Sequence, residues 1–185
     1  MPRQSLAALL LALGLGACGM LPPPPPSAGL PADIYSGAAD PTRTAIYNTG
    51  IRFSSPEQLA GKPADAARAI GEMEYLVVEL LTNPRFFNAT QGSTTMPAAK
   101  AEWRGALGIA PTALPQTVID AMFAAVRALN AGQPAAAQAA LSGPAFTLGG
   151  AATLQRLGAL PNLPATKQAA LAASQVLRRI GSGRF

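Results

Sequence analysis

The chain of 185 residues is 49% hydrophobic but only 5% aromatic and 12% charged, with a formal net charge of +5, one cysteine and no histidine. That length suits one modest domain. Alanine supplies much of the apolar content and buries little area per residue, so the core has to be thin and closely packed. The lack of histidine and of a second cysteine excludes Ser-His and Cys-His nucleophiles and leaves a zinc site nothing but carboxylates as ligands. Simple polyelectrolyte disorder is equally out of keeping with so few charges.

In chain order, Met1-Pro2-Arg3-Gln4-Ser5 precedes an apolar run from Leu6 to Gly16. One basic residue followed by a short apolar core has the shape of a signal peptide, and the run falls short of the roughly 20 residues that cross a bilayer. It closes with Leu15, Gly16, Ala17 and Cys18, a string that resembles the lipobox of bacterial lipoproteins. The resemblance covers the leader alone. It implies that residues 1–17 are removed by cleavage before Cys18 and that Cys18 carries the membrane lipid. Two or three acyl chains, at about 0.8 kcal/mol per buried methylene, hold a protein to a bilayer durably where one does so marginally. Gly19 stands where a retention signal for the inner membrane favours aspartate, so the resemblance points to the outer membrane, with the domain facing the periplasm.

Residues 18–32 read as the lipidated cysteine and a linker. Pro22 to Pro26 favour polyproline II, a stiff spacer of about 3.1 Å per residue that lifts the domain roughly 15 Å from the membrane. Residues 33–54 lack sustained periodicity and carry turn signals at Asp40-Pro41 and Asn48-Thr49-Gly50, which predicts an extended arm. The helical domain spans 55–181. Ser55, Pro56, Glu57 and Gln58 form a capping-box start that Gly61 and Pro63 interrupt. From Ala64, Ile70, Met73, Val77 and Leu80 recur at helical spacing as far as Asn83-Pro84, and the added Leu76, Val78 and Leu81 make this helix central.

Arg85 to Thr95 is expected as a loop and Met96 to Leu107 as a helix closed by Gly108. Further helices are expected from Pro115 to near Gly132, from Pro134 to Leu141, from about Ala151 to Leu160 and from about Pro164 to Ile180, with 182–185 a flexible tail. No segment shows strand alternation. The expected fold is all-α, a single small bundle of about five to six helices. Leu81 to Phe86 and Leu141 to Phe146 both end a helix with a proline turn and an aromatic. That pattern fits either an internal duplication or two independent core plugs.

Candidate chemistry is sparse. No Walker loop, G-x-S-x-G or S-x-x-K string occurs, and no cofactor or metal site is read. Glu72 and Glu79 lie seven apart on the central helix and form a conceivable glycosidase pair, with Glu74 and Asp120 the other carboxylates of note. Arg68, four residues before Glu72, favours an ordinary exposed ion pair instead. Trp103, Phe86 and Phe87 suit an apolar groove or, better, the core of a domain so poor in aromatics.

After Asp120 the chain holds Arg127, Arg156, Lys167, Arg178, Arg179 and Arg184 and no acid. Lys167, Arg178 and Arg179 are therefore candidates for contact with an anionic lipid surface or an acidic envelope protein, the alternative being that Arg178 and Arg179 complement a helix C-terminus. Export argues against nucleic acid. The leading expectation is a non-enzymatic interaction or assembly module of the cell envelope. An apolar-ligand or lipid-binding helical protein comes second and a cell-wall hydrolase third.

Overall fold

The computed structural model describes residues 27–35, 37, 40–86 and 90–181. Cys18, the leader, the proline run, Phe87 and the tail at 182–185 lie outside the described residues. The fold is an all-α bundle of α1 (Ala32–Tyr35), α2 (Pro41–Ser54), α3 (Pro63–Thr82), α4 (Thr90–Leu107), α5 (Pro115–Asn130), α6 (Pro134–Ala140), α7 (Gly149–Gly158) and α8 (Pro164–Gly181). Among the described residues the only β feature is an isolated bridge between Ile109 and Phe146.

α3 is the hub, as its broad apolar surface predicts. It packs most extensively on α5 and also meets α2, α4 and α7. Ile70, Met73, Leu76, Val77 and Leu80 are buried along it. Gly71 lets α5 come close, since a Cβ there would stand 2.9 Å from Cε2 of Phe123. The same phenylalanine ring takes Tyr35 edge-on, with centroids 6.0 Å apart. α8 lies against both α4 and α2. Gly108 and Gly132 close α4 and α5 at φ values of 66° and 70°, a left-handed conformation that glycine adopts without a Cβ penalty.

The arm expected as extended over 33–54 is helical. Asp40 caps α2 by accepting the Arg43 backbone N–H at 3.1 Å, and Pro41 follows at the first helical position. The dipeptide read as a turn is therefore a helix start, a role that Asp-Pro serves equally well. The buried face of α2 is Thr42, Ala45, Ile46, Thr49 and Phe53. Two threonines stand where apolar residues would have revealed the period. Thr49 turns its hydroxyl back to the Ala45 carbonyl at 2.7 Å, and the hydroxyls of Thr42 and Tyr75 meet at 2.6 Å.

Other boundaries move as well. Ser55 makes no side-chain cap, and Pro56–Leu59 is a single 3-10 turn rather than an α-helical start. The expected loop from Arg85 contains a 3-10 turn, Pro84–Phe86, and α4 already begins at Thr90, placing Pro97 inside the helix. The paired strings ending in Phe86 and Phe146 follow helices of 20 and 7 residues, and both aromatics are buried. Both aromatics plug the core.

Candidate functional site

The central helix carries two carboxylates that reach no solvent, and each gathers its own cluster. Glu72, read from the sequence as half of an exposed ion pair with Arg68, has no exposed side-chain surface. Its Oε1 accepts from the Tyr35 hydroxyl, from Asn48 Nδ2 at 2.8 Å and from Arg68 Nε at 3.2 Å. Arg52 Nη1 stands 3.6 Å from Oε2, a buried oxygen that accepts no hydrogen bond among the described residues. The Arg68 guanidinium lies over the Tyr35 ring, 5.4 Å from its centroid. Burial, reinforced by the charge of Glu72, pushes the Tyr35 phenol well above its ordinary value. A polar cleft of about 310 Å³ opens beside this cluster, with Asn48, Arg52, Lys62 and Asp65 on its walls.

Glu74, for which sequence reading found no partner, holds the most enclosed ion pair among the described residues. Arg104 Nε donates to Oε1 at 2.7 Å and Nη2 to Oε2 at 2.6 Å, while Trp103 Nε1 adds a third bond to Oε1 at 2.8 Å. The remaining nitrogen of Arg104 donates to the carbonyls of Ala110, Pro111 and Ala113 at 3.1, 3.0 and 2.9 Å. One guanidinium thus ties α3 to α4 and closes the connection into α5. Trp103 is a core residue, shut from solvent. A signal existed: Glu74, like Glu72, adjoins Met73 in the apolar middle of the helix, where a charge needs a buried partner.

Glu79, the second member of the conceivable acid pair, accepts from Nδ2 of Asn83 at the end of α3. Glu79 is committed to its neighbour Asn83, and Glu72 is sealed beneath Tyr35, Asn48 and Arg68. Asp120 accepts from Gln116 Nε2 at 2.7 Å. Glu102 caps a different helix, accepting the backbone N–H groups of Ala165 and Thr166 at 3.1 and 2.8 Å where α8 begins. Asp33 pairs with Arg127, Asp40 with Arg85 and Asp65 with Arg52. Among the described residues, then, every carboxylate except Glu57 is engaged inside the fold, which concentrates the unmatched positive charge elsewhere.

A second groove, of about 480 Å³, has largely apolar walls that include Pro97, Ala101, Gly105, Ile109 and Pro111. Lys100 lies on its edge, and no carboxylate among the described residues is bonded to it. Burial and then the neighbouring Arg104 charge lower its amine from the ordinary lysine value. Of the basic residues after Asp120, Arg127 is tied to Asp33, and Arg156 donates to the Ala106 carbonyl at 2.7 Å. Lys167, Arg178 and Arg179 are exposed along α8.

The fold and its two buried ion clusters define a small helical bundle braced internally by charge. Comparison with family models, curated proteins and solved structures finds no match for the chain.

Proposed function

We propose that the chain is a lipid-anchored helical module of the bacterial envelope, held through Cys18 to the periplasmic side of the outer membrane and acting by contact rather than by catalysis. The observation that carries this reading is the Leu15-Gly16-Ala17-Cys18 string, followed within a short proline-rich step by the first contacts of the bundle. Gly29 exchanges two hydrogen bonds with the Gln116 side chain, at 2.8 and 3.2 Å, and Asp33 grips Arg127 through both carboxylate oxygens. Such an arm sets the domain at a fixed point on its tether. The buried carboxylates support the non-enzymatic part, because each is spent on bracing helices.

Intact mass and fractionation of the protein made in a Gram-negative host test the anchor. Acyl chains on Cys18 and membrane fractionation are expected, both lost in Cys18→Ala. A Cys18→Ala chain that remained processed, lipidated and membrane-bound would overturn it. Mild crosslinking followed by purification tests the contact role, a defined envelope protein being the expected catch. The groove beside Lys100 favours a second reading, an apolar ligand bearing an acid group. Native mass spectrometry of protein taken directly from cells distinguishes it by a bound small molecule lost in Lys100→Gln.

A further inference from the structure

α2 and α8 form one outer face with an unusual charge content. Neither helix contains a single aspartate or glutamate, whereas together they carry Arg43, Arg52, Lys167, Arg178 and Arg179. The pair runs antiparallel: Gly50 meets Ser174, while Phe53 and Leu59 lie with Leu163 and Lys167 around one small cavity. At the crossing a Cβ on Gly50 would stand 2.5 Å from Ser174 Oγ, so the two helices approach closely and their outer surfaces merge.

Of the large apolar side chains left in solvent, Tyr47, Ile51 and Leu171 fall on this one pair, at 64%, 48% and 40% exposure. Lys167, Leu171, Ser174 and Arg178 follow one another at helical spacing along a single line of α8, and Arg43, Tyr47 and Ile51 do the same on α2. The antiparallel register brings Tyr47 toward Arg178 and Ile51 toward Leu171. Arg52 turns inward to Glu72 and Asp65, whereas Arg43, Lys167 and Arg178 are exposed.

An aromatic and two aliphatic side chains set among long cations, with no carboxylate on either helix, is the chemistry that suits the headgroup layer of an anionic bilayer. Tyrosine sits at the level of the headgroups, apolar side chains enter the acyl boundary, and lysine and arginine reach phosphates. We infer that the joint outer face of α2 and α8 rests on anionic phospholipid, with Tyr47, Ile51 and Leu171 in the headgroup layer and Arg43, Lys167 and Arg178 on its phosphates. This rests on the proposed anchor at Cys18.

Full-length protein carrying Tyr47→Trp, placed in vesicles with bromine-labelled acyl chains, reads the contact directly, because Trp103 is buried and gives a constant background. Bromine is expected to quench the introduced indole in phosphatidylcholine vesicles containing phosphatidylglycerol and not in phosphatidylcholine alone. Lys167→Gln and Arg178→Gln should weaken the contact on the order of fivefold each while leaving the melting temperature unchanged. Equal quenching on both vesicle types, or none on the anionic ones, overturns the inference. So does emission from the introduced indole that shifts with protein concentration in the absence of lipid, which would assign the face to a second copy of the chain. The mass of Cys18 in the same preparation reports the anchor separately. An unlipidated chain would sink the anchor alone, since the quenching can still be read after adding that chain to preformed vesicles.

Discussion

Glu74 and Arg104 meet edge to edge, two N–H groups on two carboxylate oxygens at 2.7 and 2.6 Å, with both side chains shut from solvent. A pair so enclosed adds little net stability over a well-packed apolar pair, but either member left alone is a buried, uncompensated charge. Glu74→Ala or Arg104→Ala should each cost about 3–5 kcal/mol in urea or thermal unfolding. The double variant Glu74→Met, Arg104→Met should recover part of that, less what Trp103 Nε1 and the carbonyls of Ala110, Pro111 and Ala113 lose with their partners. Losses that simply add would show that the two residues act independently.

Glu102 reaches from α4 to cap α8, a role usually filled by a serine or aspartate of the capped helix itself. Removing it in Glu102→Ala should cost about 1–2 kcal/mol, since it strands two N–H groups and takes an anion from the positive end of the helix dipole. Amide exchange at Ala165 and Thr166 should quicken more than in the middle of α8. Uniform exchange along the helix would contradict the capping role.

The tyrosines set the alkaline limit. Burial, with Glu72 behind it, raises Tyr35; burial also raises Tyr75, opposed by the Thr42 hydrogen bond and aided by Glu79. A phenol whose folded value lies above its unfolded one binds its proton more tightly in the native state. Its contribution is complete below about pH 10 and is lost as pH climbs from there toward the folded value. Stability should therefore fall above about pH 10, less steeply in Tyr35→Phe. Asp33 gives the opposite limb: the Arg127 hydrogen bonds lower its carboxyl against some desolvation. That contribution is present above about pH 4 and disappears as pH drops through the lower folded value, so Asp33→Asn should flatten the acid edge of the profile.

Three glycines separate steric need from helix propensity. A Cβ on Gly150 would stand 1.8 Å from the backbone oxygen of Gln138, and one on Gly71 would press on the Phe123 ring. Gly105, in the body of α4, has nothing within 4 Å of that position. Gly150→Ala should displace α7 from α6 and be the most damaging of the three. Gly71→Ala should cost about 1–3 kcal/mol through overpacking, while Gly105→Ala should gain up to about 1 kcal/mol. Melting temperatures in any other order would refute the reading of these contacts.

The apolar skeleton was legible from hydropathy alone. Ile70, Met73, Val77 and Leu80 mark α3, Val118, Met122 and Val126 mark α5, and Pro115, Pro134 and Pro164 mark helix starts to the residue. α2 escaped because Thr42 and Thr49 are buried through hydroxyl bonds to Tyr75 and to the helix backbone, so its period cannot be seen in hydropathy. The start of α4 escaped because a serine- and threonine-rich turn has weak helix preference and Pro97 offered a later beginning. The polar clusters escaped for another reason. Glu72 with Tyr35 and Glu74 with Arg104 join residues about 30 or more apart in the chain, and only the packing of α3 decides which neighbours a buried carboxylate meets. Glu72 and Glu74, flanking Met73 in an apolar stretch, are the visible warning.

The arm at 27–35 also makes the bundle a mechanical part. Tension entering from the N-terminal side meets the Gly29–Gln116 exchange first, then the Asp33–Arg127 clasp, and finally the Tyr35 ring wedged against Phe123 with its hydroxyl on Glu72. These joints follow one another along the chain, so a pull meets them in turn and reaches the core only at Tyr35. Under a pull on the N-terminal side the arm is thus the part that yields first, and Tyr35 is its last link to give.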